Sequence, residues 1–204
     1  MATRKYEQRL RAEAAEETRR RILDAVYERL REAPSEQVSL DKVARIAEVA
    51  RSTVYLVFGS RAGLFEALGA DLLERGDADK MLKAALHPDA REGLRGTVQG
   101  CVELYAKDRD VLRALSSMAV LDPDAAGTAI GNLEQGRAGG MARLAQRLAD
   151  QEILRPELTV AEATDVLWLL TGFDSFDALH TGRQRSVRRT ARMLADLAER
   201  ALCR

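Results

Sequence analysis

Proline falls at only four of the 204 positions, Pro34, Pro88, Pro123 and Pro156, and the stretches between them repeat their apolar residues at helical spacing. Proline fixes φ and removes a backbone donor, so these four read as punctuation between helices. Ile22, Val26 and Leu30 recur at steps of four, with Leu23 and Tyr27 widening the stripe. That spacing predicts an amphipathic helix over about residues 17 to 33, ended by Pro34 and Ser35. Ser39 precedes LDKVARIA as the expected N-cap of a second, short helix with Asp41 in its first turn. Ser60 opens another helix, whose face Leu64, Leu68, Leu72 runs on to about residue 80. Beyond Pro88, helical segments are expected near 91 to 106, 108 to 118, 123 to 154, 159 to 180 and 184 to 203. The best strand candidate, TVYLVF at residues 53 to 58, has nothing to pair with. The expected fold class is therefore all-α. Residues 127 to 140 hold five of the 14 glycines, which predicts a soft or broken helix start there. No strand precedes them and no phosphate-loop spacing is present, so they do not read as a phosphate cradle.

Composition narrows the function. With 46% apolar and 31% charged residues the chain reads as a globular protein rather than a disordered or fibrous one. The formal net charge is zero, yet residues 1 to 62 hold 13 Lys or Arg against 10 Asp or Glu, and the remainder 19 against 22. This is the sign expected of an N-terminal polyanion-binding module joined to a more acidic body. Cys101 and Cys203 belong to no CxxC or Cys/His cluster, which fits a reduced compartment and argues against a zinc site or a disulfide scaffold. The polar N-terminus resembles no signal peptide, and no apolar run approaches the roughly 20 residues of a membrane span. A cytoplasmic protein without membrane, metal or cofactor is the expectation.

Residues 39 to 58, SLDKVARIAEVARSTVYLVF, have the layout of a helix-turn-helix: a short helix through Ala47, a tight turn at Glu48 and Val49, and a second helix from about Arg51. Small Ala44 and Ala47 let the helices cross closely, while Leu40, Val43, Val49 and Val54 can fill the shared core. Arg51, Ser52, Thr53 and Tyr55 then share an outer surface. In such a unit the second helix enters the major groove and its early residues meet base edges. Arginine can take guanine bidentately or hold a phosphate, the hydroxyls reach either, and Tyr55 suits a backbone oxygen. Val54 and Phe58 are expected in the core. Of Leu56 and Val57, one is expected to pack on the first helix and the other to meet a thymine methyl, and Leu56 is counted with the DNA-contacting residues. Arg61 begins the next helix, whose N-terminal amides also favour phosphate. Ser39 completes the expected DNA-contacting set.

These residues resemble the DNA-binding domain of TetR-type bacterial repressors. Val43-Ala44, Thr53, Tyr55, Phe58, Ser60-Arg61 and Leu64-Phe65 stand at that family's spacing, and the likeness covers about residues 17 to 68. Glu48 stands where the family usually has glycine, and Ala50 where it usually has a capping serine. The resemblance implies an N-terminal three-helix domain with a helix-turn-helix, residues 1 to 62 and ordered from about 17, and a larger helical ligand-binding and dimerisation domain, residues 63 to 204. Its implied function is a ligand-responsive repressor that binds a palindromic operator in double-stranded DNA as a homodimer and is released by a small, apolar or aromatic effector.

The two final helical segments carry wide apolar stripes that support dimerisation, with Val166, Leu170, Val187, Ala191, Leu194 and Ala198 as candidate interface residues. Candidate effector contacts are Cys101, Tyr105, Met118, Met141, Trp168, Phe173, Phe176 and His180; LWLLTGFDSFDAL gathers the sole Trp and two of four Phe. Asp174 and Asp177 could take a cationic ligand or face water. An enzyme would have only His87 and His180 as imidazole bases, neither in a nucleophile-elbow or metal spacing. A helical adaptor for protein partners is the remaining alternative.

Overall fold

The computed structural model describes residues 2–34, 36, 38–75 and 78–204, so Ser35, read as part of the first helix stop, lies outside the described residues. The described residues fold into α1 (Ala2–Glu32), α2 (Leu40–Ile46), α3 (Arg51–Phe58), α4 (Arg61–Arg75), α5 (Ala78–Ala85), α6 (Ala90–Lys107), α7 (Arg109–Leu121), α8 (Pro123–Asp150), α9 (Val160–Leu170), α10 (Phe173–His180) and α11 (Val187–Leu202). No strand forms among them, although an isolated antiparallel bridge joins Leu154 to Cys203. TVYLVF is helical, as the absence of a pairing partner requires.

The chain divides into two compact units, residues 1–71 with 110–131, and residues 72–109 with 132–204. The sequence-based boundary at 62 thus falls inside α4 and inside the first unit. In the first unit α2 packs on α1 and α3. Ile22, Val26 and Leu30 of α1 are fully buried, as are Val43, Leu64, Phe65 and Leu68. α1 begins at Ala2, fifteen residues before the expected helix start at about 17. Residues 2 to 16 are rich in Ala, Arg and Glu, which favour helix without burial, and Arg9 pairs with Glu13 one turn on at 3.4 Å.

In the second unit α6 lies between α5 and α11. Gly96 permits the close approach of α5, because a Cβ there would stand 2.8 Å from that of Ala84. Glu199 on α11 joins the elements further, pairing with Arg91 at 2.8 Å and receiving a hydrogen bond from Arg95 Nε at 2.9 Å.

Two expectations need correction. The glycine-rich segment is an unbroken part of α8. Its glycines at 131 and 136 meet nothing within 4 Å, so their cost falls on the surface, while Ala126, Ala129, Met141 and Leu144 bury the opposite side. Residues 159 to 180 form two helices, because α9 stops at Thr171 and Gly172 starts α10 in extended conformation. Side chains take over the carbonyls freed at that stop: Ser175 Oγ donates to Leu169 O at 2.6 Å, and Arg137 donates to Trp168 O. The helix from residue 61 is described as α4 to Arg75 and the chain again from Ala78 as α5, so the expected run to about residue 80 passes through 76 and 77, which lie outside the described residues.

Candidate nucleic-acid interface and effector core

The turn between α2 and α3 closes without the residues such turns favour. Glu48 adopts φ 54°, the left-handed conformation that glycine takes without a steric penalty. Val49 N–H donates to Ala44 O at 2.9 Å and fixes the crossing of the two helices. Ala50 occupies the N-cap of α3 in extended conformation and offers no side-chain acceptor. Ser39 sits at the N-cap of α2, but its hydroxyl makes no capping bond, which corrects that expectation and leaves the hydroxyl half-exposed. At the far end Gly59 takes φ 73° and its N–H donates to Tyr55 O at 2.8 Å, ending α3 after two turns.

α3 has two unlike sides. Val54 is 1% exposed and anchors the helix, while Phe58 and Val57 are half-buried, with the guanidinium of Arg19 5.4 Å from the Phe58 ring centre. Arg51, Ser52, Tyr55 and Leu56 are exposed and Thr53 half-exposed, with Leu56 open to 85%. The apolar pair is thereby divided: Val57 packs and Leu56 does not. Arg51 is oriented by neighbours, with Nη1 3.2 Å from both carboxylate oxygens of Asp41 and the guanidinium 5.8 Å from the Tyr55 ring centre. Hydrogen bonding to Tyr55 and the charge of Asp41 raise the Arg51 pKa above its ordinary value. A rigid, basic and hydroxyl-bearing edge with one bare leucine can meet phosphates, base edges and a methyl group.

Arg61 stands apart. Its Nη1 donates to Asp122 Oδ2 at 2.6 Å, so the guanidinium is engaged by protein and only partly open.

In the second unit Tyr105, Phe173, Phe176 and His180 form one aromatic cluster. Tyr105 meets Phe173 edge-on at 5.6 Å, and Phe176 stacks on His180 at 5.0 Å. Tyr105 Oη donates to Thr171 O at 3.0 Å, and burial drives its phenol pKa far up. His180 Nδ1 lies 2.7 Å from Arg185 O, a bond in which the ring N–H donates. Cys101 is buried beside Met81, Sγ to Sδ 3.8 Å, and burial pushes its thiol up to about 11. Met141 is also buried, whereas Trp168 is 42% exposed under Arg137, whose guanidinium lies 4.9 Å from the indole. Met118 belongs to the first unit, so the sequence-derived set does not share one unit. Asp177 neither faces water nor stands open to a cation: Arg109 Nε holds it at 2.7 Å and Thr181 Oγ1 at 2.6 Å. Asp174 is exposed.

The dimerisation candidates also divide. Ala191, Leu194 and Ala198 are buried within the unit, and Val166, Leu170 and Val187 are half-buried. The apolar side chains left open on α9 and α11 are Trp168, Leu169 and Leu197, at 42%, 62% and 44%.

Sequence reasoning missed Asp41 as the partner of Arg51, Asp122 as the partner of Arg61, and Arg137 as the clasp of α9. Asp41 was visible only as a helix-dipole residue, and nothing in the spacing ties residue 61 to 122 or 137 to 168. Among the described residues no cluster of His, Cys, Asp and Glu could hold a metal, and no helix is long and apolar enough to cross a membrane.

The family of bacterial regulatory proteins called tetR matches residues 22–68. No curated protein sequence matches the chain. Solved structures share the fold across nearly the whole length. A TetR-family transcriptional regulator structure from Syntrophomonas wolfei superposes with a TM-score of 0.74 at 14% identity, covering 90% of this chain and 94% of its own. NalD of Pseudomonas aeruginosa, the secondary repressor of the MexAB-OprM multidrug efflux pump, gives 0.69 at 23% identity, covering 94% and 98%. The fatty acid degradation regulator FadR of Bacillus halodurans gives 0.70 at 15% identity, covering 89% and 94%.

Proposed function

We propose that the chain is a regulator of the tetR family, whose model matches residues 22–68, and that it is a repressor that binds a palindromic operator as a homodimer and leaves it when a small effector binds. The observation that carries this reading is the two-sided α3: Val54 is buried to 1% exposure while Arg51, Ser52, Tyr55 and Leu56 face outward. Leu56, open to 85%, is the one apolar side chain exposed among those polar residues. In a major groove that leucine has a thymine methyl to cover. Ser39, Arg51, Ser52, Thr53, Tyr55 and Leu56 are the proposed DNA contacts. One such helix reads too little sequence alone, so two copies are proposed to present the pair about 34 to 36 Å apart, one turn of duplex.

A repressor of a multidrug efflux pump and a regulator of fatty acid degradation share this fold, and their names fit an apolar effector. The proposed effector site is the core of the second unit around Tyr105, Phe173, Phe176 and His180, with Cys101, Met141 and Trp168 at its margins. An effector there releases DNA only by favouring a dimer with wrongly spaced recognition helices, by several kcal/mol. The cytoplasm is the compartment in which such a protein meets its operator.

Selection of bound fragments from random duplex DNA tests the reading. Enrichment of a palindrome, with affinity that falls steeply as salt rises, is the expected result. Enrichment of nothing at physiological salt overturns it and leaves the adaptor.

A further inference from the structure

The ion pair between Arg61 and Asp122 joins the first residue of α4 to the residue that precedes α8. Arg61 follows the recognition helix by only Gly59 and Ser60. Asp122 is fixed at the junction of α7 and α8, where its carbonyl accepts from Ala125 N–H at 3.1 Å and Ala126 N–H at 3.2 Å. The Arg61 guanidinium lies 5.6 Å from the centre of the Phe65 ring. One nitrogen is well paired, but Nε and Nη2 are buried without a hydrogen-bond partner.

That inequality decides what the pair can do. A guanidinium offers five N–H donors in a planar fork, and a buried donor left unmatched costs the protein its lost hydration. Asp122 satisfies one edge and leaves the other dry. That dry edge is shielded where it stands, but once the side chain leaves Asp122 the several oxygens of a DNA phosphate can meet the fork side-on, near the α4 N-terminus that favours an anion. Carboxylate and phosphate compete for the same cation, and the carboxylate is the poorer geometric match.

We propose that Arg61 partitions between Asp122 and a DNA phosphate, so that Asp122 sets how readily the protein engages DNA. The proposal rests on the operator-binding reading and adds a control to it. Each protein molecule that binds first gives up the Asp122 contact, and Asp122 is then released at the α7–α8 junction. By linkage, a change that draws Asp122 away from Arg61 strengthens DNA binding, and one that presses them together weakens it.

Five proteins distinguish the outcomes: wild type, Arg61→Ala, Arg61→Lys, Asp122→Asn and the Arg61→Ala/Asp122→Asn double variant, each titrated against a selected operator duplex over a salt series. Asparagine retains capping chemistry at the start of α8, so Asp122→Asn removes charge while keeping the helix start, and circular dichroism checks the helix content of each. Arg61→Ala is expected to lower the salt slope by about 1, and Arg61→Lys to restore it. Asp122→Asn is expected to bind about threefold to fivefold tighter with the wild-type slope, the range of a partly exposed ion pair. In the absence of Arg61 the Asp122→Asn change is expected to have no effect. An unchanged slope in Arg61→Ala overturns the proposal, as does a gain from Asp122→Asn that persists without Arg61. Wild-type protein that selects no duplex removes the regulator reading itself, and the switch with it.

Discussion

Leu56 gives the clearest residue-scale test, because its side chain is 85% exposed on a helix whose neighbours are polar or buried. Covering a thymine methyl removes about one CH2 equivalent of apolar surface from water, roughly 0.8 kcal/mol, or about fourfold in affinity. Replacing the operator thymines one at a time by uracil is therefore expected to find one position per half-site where wild-type affinity drops by about that factor, and Leu56→Ala should bind both duplexes alike. Equal affinity of the wild-type protein for every uracil duplex would remove Leu56 from the interface. At this scale the sequence was informative where a residue's role followed from its own helix. Val54 in and Tyr55 out follow from spacing alone, whereas which of Leu56 and Val57 packs was decided only by the structure. The sequence was silent where the partner comes from elsewhere in the chain. Asp41 lies ten residues before Arg51 and Asp122 sixty-one after Arg61, so no local period connects either pair.

At the scale of elements, the turn and cap of the recognition helix are built from residues that cost stability, and both defects were legible in the sequence because turn chemistry is local. Glu48 is held at φ 54° and Ala50 caps α3 without a side-chain bond. Glu48→Gly is expected to stabilise the protein by about 1 kcal/mol and Ala50→Ser by about 0.5 to 2 kcal/mol, additively within a few tenths only if the two relax separately. Urea unfolding measures both, and a destabilised Glu48→Gly would mean that the unfolded chain's added freedom outweighs the relieved strain. The join of α6 to α11 gives a pH test. Burial raises the Glu199 pKa, but the hydrogen bonds and charges of Arg91 and Arg95 outweigh it and hold the carboxylate below its ordinary value. A group depressed in the folded state contributes stability that is present above its unfolded pKa, about 4.3, and is lost as pH falls through the lower folded value. Wild type should therefore lose more stability than Glu199→Gln on acidification from about pH 5 to below 4. Parallel loss in both proteins would show that the pair is not what acid breaks. The helix stop at Thr171 was not legible in this way. Its neighbours repeat at helical spacing on both sides, and the break is held by Arg137 and Ser175, whose hydrogen bonds the stripe does not encode.

For the whole molecule, the surface left open on the second unit argues for a second copy. α9 and α11 pack on each other, and their buried residues, among them Leu167, Leu194 and Ala198, already fill the core of one chain. Trp168, Leu169 and Leu197 remain open on these two helices, where a monomer gains nothing from them. A two-fold axis through this surface would bury the patch against its own image, an isologous contact of four helices. The sequence located these helices, and of its candidate interface residues Ala191, Leu194 and Ala198 are buried within the unit and Val166, Leu170 and Val187 half-buried, a division that a wide stripe does not encode. Leu197→Glu would place a charge in the centre of that contact, unpaired and facing a second copy of itself, a cost of several kcal/mol against a surface of only a few apolar side chains. The wild-type protein is expected to sediment at twice its 22.5 kDa chain mass, and Leu197→Glu at that mass itself with unchanged helix content. Trp168 reports the same event by fluorescence, since it is the sole tryptophan and its exposed edge should lose water in the dimer. Its emission should shift to the red on dilution of wild type and stand there at every concentration in the variant. The variant should also bind operator more weakly, with a loss that falls equally on both half-sites because each recognition helix is intact and only their pairing has gone. A wild-type protein that sediments as a single chain at tens of micromolar would remove the two-fold arrangement.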